Sequence, residues 1–361
     1  MFANLELLFL ATLFTTGACI PGLSLAVHGP AEVDGVHNLK VTATLTNTGN
    51  ETLKLLNDPR GPLSHIATNT FSILSSSGSK PNFNGVKLKY VPSKIIEMDD
   101  DSLFTVLEPG KSVSIDHDLS SAYNFTGSGE GAYSVEARNK FHYVDPKTKK
   151  AVAIEAVSQE YKVSSLVGKL AVARSTVSTT AIERRSHPSL SKRTGFAGCN
   201  DDQISQVFEA IPAVQKYASS ALKYLQSTGN TERYTTWFGQ LTKERHDTVT
   251  DHYTKLSGND FPEFVYNCEC SQPGVFAYVV PDDFGVVHLC DAFWTAPVSG
   301  TDSKGGTILH ESSHFTKNGG TDDHAYGHSA CQTLAQSDPD QAIDNADSHE
   351  YFAENEGPVL Q

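Results

Sequence analysis

The sequence lacks any apolar run long enough to cross a bilayer, which takes about 20 residues. Its N-terminal apolar run extends only from Leu7 to Phe14 and is followed by small residues up to Ala18. A run of this kind is typical of a secretory signal peptide, although Glu6 stands where a positive charge is usual. We therefore expect residues 1–18 to be a signal peptide, the protein to be secreted, and no segment to span a membrane.

Cysteine is absent from residues 20–198, so disulfides are not expected to stabilise most of the N-terminal half. Five of the six cysteines lie in the C-terminal half, where clustered cysteines of a secreted chain usually form disulfides. A structural zinc cluster is the alternative, but Cys268 and Cys270 lack the paired C-x-x-C spacing that such sites prefer. Because five is an odd number, at least one thiol is expected to stay free.

Basic residues are scarce in the C-terminal half. Residues 194–361 contain eight Lys and Arg against 24 Asp and Glu, a net charge of −16, whereas residues 1–193 carry a net charge of +2. An acidic domain repels phosphate backbones and anionic lipids and attracts cations. We therefore expect no nucleic-acid or membrane partner, and a preference for cationic substrates.

The boundary between the halves is a segment of low periodicity, residues 171–193, which predicts a linker. It contains the dibasic pairs Arg184-Arg185 and Lys192-Arg193, which are typical sites for a kexin-type processing protease. Cleavage after Arg193 would separate a propeptide, residues 19–193, from a domain of residues 194–361. Sequons at Asn50 and Asn124 agree with secretion.

The two halves differ in hydrophobic pattern. The N-terminal half has short β-prone runs with period-2 alternation between Gly, Asn and Ser turns, which predicts an antiparallel β-sandwich. Residues 201–230 and 238–260 have helical spacing, short β-like runs follow, and helical spacing returns from about Gly305. We therefore predict two domains, an all-β sandwich-like propeptide and a mostly helical α+β domain.

The sequence His310-Glu311-Ser312-Ser313-His314 has the pattern H-E-x-x-H. On a helix, His310 and His314 lie on one face and can bind one metal ion, and Glu311 can act on a water molecule at that ion. The pattern supplies two of the three protein ligands that a catalytic zinc needs.

The third ligand has several candidates in the sequence. A third histidine at the metzincin spacing is excluded, because Lys317 and Gly320 replace the required glycine and histidine. A glutamate on a later helix, as in thermolysin-like enzymes, could be Glu350 or Glu354. A carboxylate from the loop after the helix could be Asp323, since Gly319 and Gly320 allow the chain to turn sharply.

H-E-x-x-H followed by G-T-x-D-x-x-Y-G, here residues 320–327, resembles the deuterolysin (aspzincin) family of secreted fungal zinc endopeptidases. The resemblance implies a zincin-like domain with one zinc ion held by His310, His314 and Asp323. It also implies that Glu311 is the general base and that Tyr326 donates a hydrogen bond to the oxyanion. Asp322 fits by spacing alone, but the family pattern selects Asp323.

The sequence is most similar to the lysine-specific branch of that family, through RYTTWFG at 233–239, FAYV at 276–279 and NADSHEYFAEN at 345–355. This similarity implies that Asp347 and Glu350 bind the lysine that follows the cut, with Phe276 along its methylene stem. Substrates would then be proteins and peptides containing lysine. A deuterolysin of broader specificity and a catalytically silent binding protein are the alternatives.

The family likeness also implies two disulfides, Cys199–Cys268 and Cys270–Cys290. Cys331 then remains without a partner, and as a thiol close to the site it could bind zinc. His324 and His328 flank Tyr326 and could also compete for the metal. We expect the processed domain to be monomeric. Without cysteine after Cys19, a propeptide would have to keep the enzyme latent by steric cover or through another ligand.

Overall fold

The computed structural model describes residues 22–172, 182–188, 190, 193–229 and 231–355. The predicted signal peptide and Lys192 of the second dibasic pair lie outside the described residues. Within the described part of the chain, no helix is long and apolar enough to span a membrane.

The N-terminal half consists mainly of strands. Its strands are β1 Leu23–His28, β2 Glu32–Asp34, β3 Lys40–Asn47, β4 Leu53–Leu56, β5 Phe71–Ser75, β6 Asn82–Phe83, β7 Lys87–Tyr90, β8 Phe104–Leu107, β9 Ser112–Asp118, β10 Tyr123–Asn124, β11 Gly131–Ala137, β12 Lys140–Val144, β13 Ala151–Gln159 and β14 Tyr161–Val167. Helix α1, Pro92–Met98, interrupts them. A seven-stranded sheet (β8-β4-β12-β13-β1-β3-β9) and a four-stranded sheet (β2-β14-β11-β5) contribute to one apolar core.

The prediction of a purely antiparallel sandwich is wrong in one respect. Strand β1 pairs in parallel with β13, and β14 pairs in parallel with β2, so both sheets are mixed. The error has a simple cause, since period-2 alternation reports which face of a strand is buried and not the direction of its neighbour.

The C-terminal half combines helices with a sheet. Its elements are β15 Glu183–Arg185, β16 Thr194–Ala197, α2 Asp201–Ser227, α3 Glu232–Phe238, α4 Lys243–Ser257, β17 Val265–Asn267, β18 Val275–Val279, β19 Val286–Leu289, α5 Asp291–Thr295, α6 Lys304–Ser313, α7 His328–Ser337, α8 Pro339–Ala342 and α9 Ala346–Glu354. The long helix α2 begins with a capping box between Asn200 and Gln203, which satisfies backbone donors of its first turn. Helix α2 packs against α6, and a second apolar core encloses both.

The predicted linker is not wholly irregular. Part of it forms β15, which contains Arg184 and Arg185 and pairs antiparallel with β16. All three residues of β15 are exposed.

The two halves also share a sheet. The six-stranded sheet has the order β15-β16-β17-β19-β18-β7, so an N-terminal strand, β7, completes a sheet of the C-terminal half. A third apolar cluster contains Leu88 and Tyr90 of β7 together with Val275 and Tyr326 of the C-terminal half. A separation into two independent domains is therefore too simple.

Candidate metal centre and substrate pocket

Helix α6 carries the first four residues of the H-E-x-x-H sequence through the core, and His314 is its C-cap residue. Its first turn is capped by the Ser303 hydroxyl, which accepts a hydrogen bond from Gly306 N. A Cβ atom at position 306 would lie 2.0 Å from Glu354 Oε1 and 2.8 Å from Glu350 Oε1, so any larger residue there would displace these carboxylates. The helix ends at Ser313, and the loop that follows returns Thr321 and Asp323 to its last turn.

Three potential ligand atoms converge at the end of α6. His310 Nε2 lies 3.2 Å from His314 Nε2, and Asp323 Oδ1 lies 3.3 Å and 3.5 Å from those two nitrogens. Ligands that bind zinc tetrahedrally at about 2.05 Å lie about 3.3 Å from one another. Asp323 Oδ1 is buried and has no hydrogen-bond partner among the described residues. The three atoms therefore fit a tetrahedral zinc ion and leave its fourth position open.

The opposite ring nitrogens of both imidazoles lie close to acceptor oxygens. His314 Nδ1 lies 2.7 Å from the carbonyl oxygen of Thr321, and a carbonyl can only accept, so this nitrogen donates. His310 Nδ1 lies 2.9 Å from Asp347 Oδ1. With a proton on each Nδ1, both Nε2 atoms keep a lone pair directed at the same point, as metal-binding histidines require.

The other predicted candidates for the third ligand point elsewhere. Asp322 accepts a hydrogen bond from Asp323 N and lies 3.8 Å from the Lys87 ammonium. Glu350 Oε2 lies 3.3 Å from His310 Nδ1, on the side of the ring away from His314 Nε2. Glu354 accepts hydrogen bonds from Ser303.

The three neighbouring residues that could compete for metal have other contacts. Cys331 is buried, contacts the Ala325 carbonyl oxygen and accepts from the Asn345 amide. His324 Nε2 lies 2.9 Å from Asp344 Oδ2, and the His328 ring packs against Tyr351. None of the three belongs to the converging set.

Glu311 and Tyr326 face opposite ends of one peptide bond. Glu311 Oε1 accepts a hydrogen bond of 2.8 Å from the backbone N–H of Lys89, while Tyr326 OH donates one of 2.6 Å to the carbonyl oxygen of Leu88. Glu311 is fully buried, and burial raises the pKa of its carboxyl well above the usual range. A carboxylate whose charge is so poorly solvated is a strong proton acceptor.

A second acidic group lies beside the converging ligands. Asp347 and Glu350 share one face of α9, as predicted, and both are fully buried. The Lys89 ammonium lies 2.5 Å from Glu350 Oε2, 3.9 Å from Asp347 Oδ1 and 3.3 Å from Asp302 Oδ1. Burial opposes the charge of this ammonium, but the three carboxylates outweigh burial and hold the Lys89 pKa well above its usual value.

Two aromatic rings lie close to the same ammonium. The ammonium lies 5.5 Å from the centre of the Phe276 ring and 5.4 Å from that of Tyr351, within the range of a cation–π contact. Phe276 lies at an irregularity in the pairing of β18 with β7. We call the space bounded by Asp302, Asp347, Glu350 and these two rings the lysine pocket.

Sequence reasoning missed two residues of this region. Asp302 has φ 51°, and its Oδ1 accepts a hydrogen bond from Tyr351 OH, so its carboxylate is fixed in the lysine pocket. Arg60 places its guanidinium 3.8 Å from the centre of the Tyr326 ring and donates to the carbonyl oxygen of Asp323. Neither residue belongs to a motif, and no local pattern connects Arg60 to residues more than 260 positions away.

The cysteine pairing agrees with the family likeness. Disulfides join Cys199 to Cys268 and Cys270 to Cys290, and Cys331 is a free, buried thiol. The first disulfide joins the start of α2 to the sheet, and the second joins the segment before β18 to the start of α5.

Comparison with known proteins gives a consistent picture. Residues 223–354 match the family model Aspzincin M35, described as lysine-specific metallo-endopeptidase. Peptidyl-Lys metalloendopeptidase of Grifola frondosa is 52% identical over 336 residues, 93% of each chain, and that of Armillaria mellea is 46% identical over 98% of this chain and 99% of its own. An extracellular protease of Aeromonas hydrophila is 32% identical over 96% of each chain.

A solved zinc peptidase from Grifola frondosa covers 44% of this chain and 97% of its own, with 52% identity and a TM-score of 0.43. The similarity to the curated relatives extends over nearly the whole sequence, including the N-terminal half. The chain therefore belongs to the aspzincin M35 family of metallo-endopeptidases.

Proposed function

We propose that this protein is a secreted zinc endopeptidase that hydrolyses peptide bonds on the N-terminal side of lysine. The observation that carries the proposal is the position of the lysine pocket beside the converging atoms of His310, His314 and Asp323. The pocket is acidic, buried and of the right depth for an ammonium on a four-carbon stem. The names of the Grifola and Armillaria relatives agree with this specificity.

His310, His314 and Asp323 would hold the zinc ion. When bound, zinc lowers the pKa of a water molecule and polarises the carbonyl of the bond to be cut. Glu311 Oε1 can accept a proton and deliver it to the nitrogen of the leaving amine, the position that Lys89 N occupies here. Tyr326 OH donates to the carbonyl oxygen and stabilises the negative charge that develops on it.

The lysine pocket explains selectivity by charge and shape. A buried ammonium needs several acceptors, and Asp302, Asp347 and Glu350 supply them from separate directions. A neutral side chain would leave these carboxylates unpaired. A guanidinium is broad and planar, so it matches this narrow, aromatic-walled pocket less well than an ammonium.

The same proposal assigns a role to the N-terminal half. Residues 19–193 would be a propeptide that keeps the enzyme latent, and residues 194–361 would be a mostly helical, zincin-like catalytic domain. A kexin-type protease would cut after Arg193, an exposed residue next to the buried Thr194. The signal peptide, secretion and a monomeric mature form belong to the same proposal.

Digestion of a denatured protein by the processed enzyme, followed by mass spectrometry of all fragments, tests the specificity. We expect new N-termini to be lysine, chelator to abolish cutting and added zinc to restore it. The matched control is Glu311→Gln, which we expect to retain zinc without cutting. Fragments that begin with many residue types would indicate a deuterolysin of broader specificity, and no cutting by the zinc-loaded protein would indicate a silent binding protein.

A further inference from the structure

Strand β7 lies in the candidate active site although it belongs to the N-terminal half. It pairs antiparallel with β18, with Leu88 opposite Tyr278 and Lys89 opposite Ala277. Leu88, Lys89 and Tyr90 are almost completely buried. Addition of an extended segment to the edge of a sheet is a common way to bind a peptide.

The Leu88–Lys89 bond is held by the groups that would cut it. Its carbonyl oxygen accepts from Tyr326 OH, and its N–H donates to Glu311 Oε1. The preceding N–H, of Leu88, donates to Asp323 Oδ2 at 3.3 Å. The oxyanion donor, the general base and a proposed metal ligand therefore surround one bond, and its chain direction places the lysine on the leaving side.

The side chain of Lys89 fills the lysine pocket. Lysine is almost never fully buried unless it is paired, and here three carboxylates pair with a side chain of zero exposure. An ordinary edge strand needs no such side chain at this position. Position 89 thus has the identity, the depth and the partners of the lysine that follows a cut.

Contacts on both sides of the bond hold β7 in this position. The Lys87 ammonium donates to the carbonyl oxygens of Gly320 and Thr321, next to the proposed metal ligand Asp323. Arg60, paired with Asp58, stacks on the Tyr326 ring. The N-terminal half therefore inserts three cations into an acidic cleft.

From these contacts we infer that β7 is a built-in substrate: the uncut strand blocks the cleft, and the Leu88–Lys89 bond is a self-cleavage site. The inference rests on the proposed function. Hydrolysis breaks the C–N bond, adds the oxygen of one water molecule to the carbonyl carbon of Leu88, and leaves a carboxylate on Leu88 and an ammonium on Lys89. Water is the sole co-reactant.

The products favour departure of the strand. The cut divides β7, so its pairing with β18 no longer continues across the site. Self-cleavage at this bond therefore weakens the binding of the N-terminal half to the cleft.

The experiment uses the full chain with Arg184, Arg185, Lys192 and Arg193 changed to Ala, so that dibasic processing cannot remove the N-terminal half. The purified protein is loaded with zinc and followed by intact mass and N-terminal sequencing. We expect a fragment that begins at Lys89, formed at a rate independent of protein concentration. We expect Lys89→Met to abolish this fragment, Lys89→Arg to slow it at least tenfold, and the exposed control Lys94→Met to leave it unchanged.

A binding measurement tests blocking without turnover. In the Glu311→Gln background, the full chain should not bind a labelled peptide that contains Leu-Lys, whereas the chain that also carries Lys89→Met should bind it. Tight peptide binding to the chain that retains Lys89 would refute blocking. If the zinc-loaded chain digests an added lysine peptide without forming the Lys89 fragment, the self-cleavage site is wrong and the proposed function stands. If the chain with its natural dibasic pairs, cut after Arg193 and loaded with zinc, does not digest the lysine peptide, the proposed function itself fails.

Discussion

Two carboxylates of the lysine pocket, Glu350 and Asp302, should contribute unequally to catalysis, and the structure ranks them. Glu350 contacts the ammonium most closely, at 2.5 Å, and both groups are fully buried. Removing one partner of a buried ion pair costs about 3–5 kcal/mol. Because each 1.4 kcal/mol corresponds to a factor of ten, Glu350→Gln should lower kcat/KM for lysine substrates roughly 100-fold to 5,000-fold.

Asp302 should matter less than Glu350. Its Oδ1 lies 3.3 Å from the ammonium and also accepts from Tyr351 OH, and Asn would retain an oxygen for both contacts. The loss is then mainly one charge at a longer distance, about 1–2 kcal/mol, which corresponds to roughly 5-fold to 30-fold in kcat/KM.

The assay compares two fluorogenic peptides that differ only at the residue after the cut, one with lysine and one with norleucine. Norleucine has the same stem without the ammonium, so the ratio of the two kcat/KM values isolates the charge. Each substitution should lower this ratio by the factor given above, because the norleucine peptide gains or loses little. An equal loss on both peptides, or a larger effect for Asp302→Asn than for Glu350→Gln, would refute the ranking.

Three further predictions follow from other parts of the structure. Glu311→Gln should leave zinc content unchanged while kcat falls at least about 1,000-fold, measured by metal analysis and casein hydrolysis, because the amide cannot accept the proton. Burial lowers the pKa of His349 to about 3. The Nε2 atom of His349 faces His252 Nδ1, and the Nδ1 atom of His349 faces the carbonyl oxygen of Asn345. Since the unfolded state then binds more protons, His349 should contribute a fall of about 1.4 kcal/mol per pH unit to the free energy of unfolding of the metal-free chain as pH drops from about 6.5 toward 3. Urea titrations at several pH values should show that the free energy of unfolding of His349→Phe depends less steeply on pH. Gly306→Ala should reduce both thermal stability and kcat/KM for lysine peptides. Its methyl group would lie 2.0 Å from Glu354 Oε1 and 2.8 Å from Glu350 Oε1, so it would displace both carboxylates, and Glu350 belongs to the lysine pocket. An unchanged Tm would contradict this.

The two histidines of the proposed metal site were accessible from sequence because their relation is local. Residues four apart on a helix share a face, so His310 and His314 had to approach one another once α6 formed. Spacing alone left Asp322, Asp323, Glu350 and Glu354 open as the third ligand. The structure separates them by where each carboxylate points, which depends on contacts such as that between Lys87 and Asp322.

The contacts between the halves were not accessible from sequence. Lys89 and Glu350 are 261 positions apart, and the run that contains Lys89 resembles any short strand. Asp302 was missed for a related reason, since a lone aspartate before a helix is more often near a cap than in a pocket. Long-range pairing of this kind is decided by tertiary packing, and no local period records it.

The order of the six-stranded sheet determines which strand edges a cut after Arg193 would expose. Both of its outer strands, β15 and β7, come before Arg193, whereas the four inner strands come after it. Cleavage after Arg193 with loss of the N-terminal half would uncover β16 on one side and β18 on the other, and unpaired strand edges promote association between molecules. Under the proposed function a substrate would pair with the uncovered β18, whereas the uncovered β16 would have no such role. Before such a cut, β7 and β15 would cover both edges of the sheet and so oppose association between molecules.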